Sequence, residues 1–167
     1  YEAIIQLTNL GIGQSACVGI GGDPVHGTSF VDTLKMFEND SDTEIIVMIG
    51  EIGGLREQKA AEYIKSNVSK PVIASIVGQT APSGRRMGHA GAIVTGKSAL
   101  AQEKIRVLKD SGAIIAESPT EIGYVIKKFL GWKMVKAAVL YEINSELEIV
   151  DLTISDPQDK EVLISMD

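Results

Sequence analysis

The sequence predicts an α/β fold, a parallel sheet with helices on both faces followed by a short β-rich tail. Three observations carry that prediction. Short apolar runs rich in β-branched residues alternate with amphipathic stretches of helical period. The connections between them are short, which favours right-handed crossovers within one sheet. Beyond Gly131 the alternation stops, and strand-like runs follow one another directly.

Taken in order, Tyr1–Asn9 has the pattern of a helix interior, so the intact protein is expected to continue upstream of Tyr1, with any targeting segment. The four expected strands are Ala16–Ile20, Glu44–Ile49, Pro71–Val77 and Ala113–Ala116. Between them, Ser29–Asn39 sets Phe30, Thr33, Leu34 and Phe37 on one helical face. Leu55–Asn67 does the same with Ala60, Ala61 and Ile64, and Ser98–Ser111 with Ala101, Ile105 and Leu108. Ser118 is placed to cap a last helix, with Pro119 at its first position and Thr120–Leu130 as its body. The whole describes a flavodoxin-like architecture, in which ligands sit at the carboxyl ends of the strands.

A chain of 167 residues suffices for one ordinary domain with an appendage. At this size it buries roughly 70 % of its unfolded surface. A net charge of −6, with lysines and arginines scattered, argues against nucleic acid and membranes as partners. No apolar run nears the roughly 18 residues of a membrane span, and no signal peptide is visible. Cys17, the single cysteine, has no disulfide partner and no neighbours at metal-ligand spacing. It is expected to be a small buried residue in a reducing compartment.

Glycine-rich loops fall at the carboxyl ends of three expected strands: Gly19–Pro24, Gly50–Gly54 and Gly78–Ala92. Glycine lets backbone approach a ligand, and free amides favour an anion. Neither a dinucleotide fingerprint nor a P-loop is present, however, and any one loop reads equally as a turn without chemistry. Gly78–Ala92 stands apart because it is long, irregular and holds His89, flanked by Gly88 and Gly91, with Arg85 and Arg86 just upstream. Two readings remain open from chemistry alone: a nucleophile toward phosphorus screened by guanidinium groups, or a hydrogen-bonded loop histidine. His26, the other histidine, reads as a loop residue.

The string Thr80-Ala81-Pro82-Ser83-Gly84-Arg85-Arg86-Met87-Gly88-His89-Ala90-Gly91-Ala92-Ile93 resembles the active-site signature of succinyl-CoA synthetase alpha subunits. The resemblance extends to Gly11–Pro24, Gly50–Gly54 and Ser118–Gly123, in family order and spacing, so residues 1–131 resemble that family's C-terminal ligase domain. It implies the reversible conversion of succinyl-CoA, phosphate and a nucleoside diphosphate into succinate, CoA and a nucleoside triphosphate. His89 would take the phosphoryl group from succinyl phosphate and pass it to the nucleotide. Glu51 would orient the histidine, fixing its tautomer. Gly21 and Gly22 would line the phosphate region, which the family forms between helix N-termini of two subunits.

The resemblance also implies a beta-subunit partner that holds the Mg-nucleotide, and a CoA-binding domain upstream of Tyr1, so no cofactor is expected on this chain and no complete reaction from it alone. It implies a bacterial cytoplasm or a mitochondrial matrix. Thr95-Gly96-Lys97-Ser98 has fewer glycines than the family's tract there. Acetate-type CoA ligases and ATP citrate lyase share the histidine chemistry. A non-catalytic module docking a beta subunit and a flavin binder are the alternatives from other classes.

Residues 134–167 read as antiparallel hairpins, with runs at Met134–Glu142, Leu147–Leu152 and Glu161–Ile164. They are similar to the opening strands of zinc-dependent medium-chain alcohol dehydrogenases. None of that family's zinc ligands or nicotinamide-binding glycines is present, so no dehydrogenase activity is expected.

Overall fold

A computed structural model describes residues 1–23, 25, 27–131, 133–139 and 148–154. The chain forms two compact units, Tyr1–Val125 and Ile126–Asp167.

The first unit opens with α1 (Glu2–Asn9). Ser29 then starts α2 (Phe30–Asn39) through a capping box: its Oγ accepts from the Asp32 amide at 3.2 Å, and its own amide donates to Asp32 Oδ2 at 3.0 Å. There follow β1 (Ile46–Glu51), α3 (Arg56–Asn67) and β2 (Val72–Val77). A 3-10 turn at Lys97–Ala99 leads into α4 (Ala101–Asp110), then β3 (Ile114–Ile115). A second 3-10 turn at Pro119–Glu121, capped by the Ser118 hydroxyl, starts α5 (Ile122–Phe129), whose residues from Ile126 on belong to the second unit. Every predicted helix forms, within a few residues of its expected ends.

The three strands pair in parallel in the order β1-β2-β3. Register runs from Ile46 opposite Val72 to Glu51 opposite Val77, with Ile73 opposite Ile114 on the other side. Side chains alternate across a strand, yet Val72–Ile76 are all buried, so both faces of β2 are covered. Met48 and Ala74 pack with Leu34 of α2, Ile64 of α3 and Leu108 of α4 in one core. The predicted α/β class and parallel sheet are therefore observed.

Two expectations fail. Ala16–Ile20 forms no strand, and Ala16–Gly19 are exposed. The segment has only Val18 and Ile20 to bury and glycines around it, too little apolar area to repay the order of a ladder. It is tied near β1 by a 2.7 Å hydrogen bond between the Ser15 and Thr43 hydroxyls. Cys17 is accordingly exposed rather than buried. The second expected strand also shifts, beginning at Ile46 and reaching Glu51.

In the second unit, β4 (Lys133–Val139) and β5 (Glu148–Ile154) form an antiparallel pair, from Lys133 opposite Ile154 to Val139 opposite Glu148. His26 and the expected run Glu161–Ile164 lie outside the described residues. Among the described residues, no helix is long and apolar enough to cross a membrane.

Candidate active site

Glu51 ends β1, and its partner comes from the long loop after β2. That loop folds back on itself: the Gly84 amide donates to Val94 O at 3.0 Å, Arg86 bridges Ile93, and the Met87 amide donates to Ala92 O at 2.9 Å. Ala92 and Val94 are buried in the core and anchor its returning limb. The Ala92 amide donates to His89 O at 3.1 Å, closing the turn that holds the histidine at the tip. Gly88, at φ +89°, supplies a conformation that a β-carbon disfavours.

His89 Nδ1 lies 2.9 Å from Glu51 Oε1, with the histidine side chain 62 % exposed and the carboxylate 30 %. The hydrogen bond to Glu51 raises the imidazole pKa above its ordinary value, helped by the Glu51 charge and by Asp23, while partial desolvation opposes them. A carboxylate at Nδ1 selects the tautomer protonated there and leaves the Nε2 lone pair available. No described residue hydrogen-bonds Nε2. The arrangement orients the ring and leaves a solvent-facing nitrogen chemically able to attack an electrophile.

Gly22 closes against this pair. A β-carbon there would stand 2.2 Å from His89 Nδ1, 2.5 Å from Cγ and 2.9 Å from Glu51 Oε1. One at Gly91 would meet Gly22 O at 2.7 Å, and one at Gly53 would meet Gly91 O at 2.0 Å. These glycines bring three loops together around the histidine, a use distinct from the ligand approach expected of them. Gly21, at φ +71°, has open space where a side chain would go.

The sequence reading missed three residues that hold these loops. Arg56 Nη1 donates to Gly21 O at 3.0 Å and its Nη2 to Asp23 O, strapping the Gly21–Asp23 loop to the start of α3. Lys104 of α4, fully buried, donates to Glu51 O at 2.8 Å, to Gly53 O and to the carboxylate of buried Glu57 on α3. The other Glu57 oxygen accepts from the Glu51 amide at 3.2 Å. A signal was present: Lys104 and Glu57 interrupt apolar stripes at core-facing helical positions. Arg85 and Arg86 are exposed, and among the described residues the side chain of neither makes a hydrogen bond or ion pair. A cleft of about 200 Å³ opens at the carboxyl ends of β2 and β3, lined by Gly78–Thr80 and Glu117–Pro119. Among the described residues, no cluster of three or more His, Cys, Asp or Glu is placed to hold a metal ion.

A histidine–carboxylate pair presented by a strand end and a loop at the carboxyl edge of a parallel sheet coincides with a sequence model of the CoA-ligase family, which matches residues 1–118; the chain belongs to that family. Among the relatives it matches are alpha subunits of ADP-forming succinate–CoA ligase. The Staphylococcus epidermidis protein is 60 % identical over 123 residues, covering 74 % of this chain and 41 % of the relative. One from Staphylococcus aureus is 53 % identical over 143 residues, covering 86 % and 46 %. The chain thus spans less than half the length of these relatives. Among solved structures, ATP citrate lyase from Methanothrix soehngenii in complex with citrate and coenzyme A superposes with TM-score 0.63 at 28 % identity, over 66 % of this chain and 19 % of that one. The Methanosaeta concilii enzyme, with (3S)-citryl-CoA, gives TM-score 0.63 over 80 % of this chain and 22 % of that one, at 24 % identity, a likeness of fold alone.

Proposed function

We propose that this chain is the phosphohistidine-carrying part of a succinate–CoA ligase alpha subunit, with His89 as the phosphoryl carrier. The observation that supports it most is the 2.9 Å contact between His89 Nδ1 and Glu51 on a ring that stays open to solvent. In the proposed sequence, neutral Nε2 attacks the phosphorus of succinyl phosphate. The P–O bond to the acyl oxygen breaks and succinate leaves as its carboxylate. Glu51 stabilises the imidazolium that results. A β-phosphate oxygen of the nucleoside diphosphate then attacks the phosphorus, the P–N bond breaks, and the nucleoside triphosphate departs from a neutral histidine.

The magnesium nucleotide is assigned to a beta subunit, and CoA to a domain upstream of Tyr1. Gly21 and Gly22 are proposed to border the phosphate through their backbone. Alone, the chain accepts and returns a phosphoryl group but does not complete the ligase reaction. A bacterial cytoplasm or mitochondrial matrix suits such an enzyme. Residues 134–167 are given no catalytic part.

The test is to mix the purified chain with a succinate–CoA ligase beta subunit and γ-labelled ATP. Acid-labile, base-stable label that is absent in His89→Asn supports the reading. A bound beta subunit with no label on the unmodified chain refutes it and favours a module that only docks.

A further inference from the structure

We infer that Lys104 is a positioning residue of this site: with Glu57 it forms a buried clamp on the turn that holds Glu51, and through Glu51 it sets the orientation of His89. The inference rests on the function proposed above. Neither Lys104 nor Glu57 touches the histidine, so both act through the turn.

The helices themselves have no need of these charges. On α4, Lys104 shares the inward stripe with Ala101 and Leu108; on α3, Glu57 shares it with Ala60, Ala61 and Ile64. Apolar residues at both positions would pack the same interface without desolvating an ammonium and a carboxylate. What the charges add is backbone control. An ammonium has three hydrogens, and all three are used: Glu51 O, Gly53 O and Glu57 Oε2 accept them. Glu57 Oε1 takes the Glu51 amide hydrogen. The N–H and C=O of the residue that holds His89 are thus both bound by one ion pair.

Gly50 is shaped to admit the clamp. A β-carbon there would come within 2.7 Å of Glu57 Cγ and 2.8 Å of its Oε1. Residues Gly50, Glu51 and Gly53 are therefore built around two side chains, one from the helix that follows them and one from α4, 53 residues beyond Glu51. A displacement of about 1 Å in a catalytic group can lower a rate by about 100-fold, which gives a fixed turn its value.

The test follows the His89 imidazole of the full chain by nitrogen-15 NMR through a pH titration. The unmodified chain is compared with Glu51→Gln, Lys104→Met and the double variant Lys104→Met/Glu57→Met. The single lysine variant leaves a buried carboxylate unpaired and is expected to unfold more readily. The double variant removes the pair together, a change that often leaves stability unaltered, and thermal unfolding checks that it is folded. Asp23, the other charge raising the His89 midpoint, is present in every variant.

The expected result is a folded double variant whose His89 midpoint falls as far as in Glu51→Gln, with loss of the Nδ1–H tautomer. A folded double variant with the unmodified midpoint, while Glu51→Gln shifts it, overturns the clamp and leaves the phosphohistidine reading standing. If Glu51→Gln itself leaves the midpoint unmoved, the His89–Glu51 pairing fails, and the inference with it. Hydrogen exchange on the unmodified chain is a second check. A clamped Glu51 amide exchanges as slowly as the core amides of β2, and exchange at the rate of an exposed loop overturns the clamp.

Discussion

Replacing Gly22 by alanine is the smallest change expected to disable the site. The added β-carbon would stand 2.2 Å from His89 Nδ1, whereas ordinary contact begins near 3.4 Å, so the ring must retreat by about 1.2 Å. Retreat along the line from that β-carbon, with the carboxylate in place, stretches the Nδ1–Oε1 distance from 2.9 Å to about 3.5 Å, beyond a good hydrogen bond. The same β-carbon would lie 2.9 Å from Glu51 Oε1, so the carboxylate cannot simply follow the ring. A misplacement of this size lowers phosphoryl uptake by about 100-fold. The His89 midpoint should also drop toward an ordinary histidine value, because its principal cause, the Glu51 hydrogen bond, is gone. A glycine outside the site is the control. Gly11 also has φ +71° and open space around it, so Gly11→Asn, which tolerates that conformation, should keep most of the activity. The assay is the initial rate of acid-labile labelling with saturating beta subunit, alongside the imidazole titration. Labelling of Gly22→Ala at the unmodified rate, with an unmoved midpoint, would refute the packing argument.

Four further outcomes are expected. Because only neutral His89 can attack phosphorus, labelling should rise with pH through a midpoint above the ordinary histidine value, and Glu51→Gln should lower that midpoint. A raised histidine pKa contributes stability below the unfolded-state pKa and loses it as pH climbs through the folded one, so denaturation of Glu51→Gln should approach that of the unmodified chain at alkaline pH. Ser29→Ala removes the capping box of α2 and should cost about 1 kcal/mol in denaturant unfolding. Glu38 accepts from the Ser69 hydroxyl at 2.5 Å and from its amide at 3.1 Å, which hold its carboxyl below the usual range. That contribution is present above the ordinary carboxylate pKa and lost as pH falls through the lowered one. Ser69→Ala should therefore destabilise the chain at neutral pH, by an amount that shrinks in acid.

Local patterning determined much of this protein. The stripes of α2, α3 and α4, the cap at Ser29, the Pro119 start and the buried run Val72–Ile76 follow from side-chain period and propensity, which act over a few residues and are written in order along the chain. The candidate histidine was legible too, through a motif whose loop has no regular period. Ala16–Ile20 misled because β-branched composition does not specify whether a neighbouring strand will pair with it. Tertiary structure alone decided that Gly22, Gly53 and Gly91 serve the close approach of loops, since nothing local distinguishes that use from a tight turn. It alone joined Lys104 to Glu51, Gly53 and Glu57. A charge in an apolar stripe announces that a partner exists, but the partner here lies 47 residues away. Only the packing of α3 against α4 selects it, because burying an ammonium is tolerable solely where the fold delivers its acceptors.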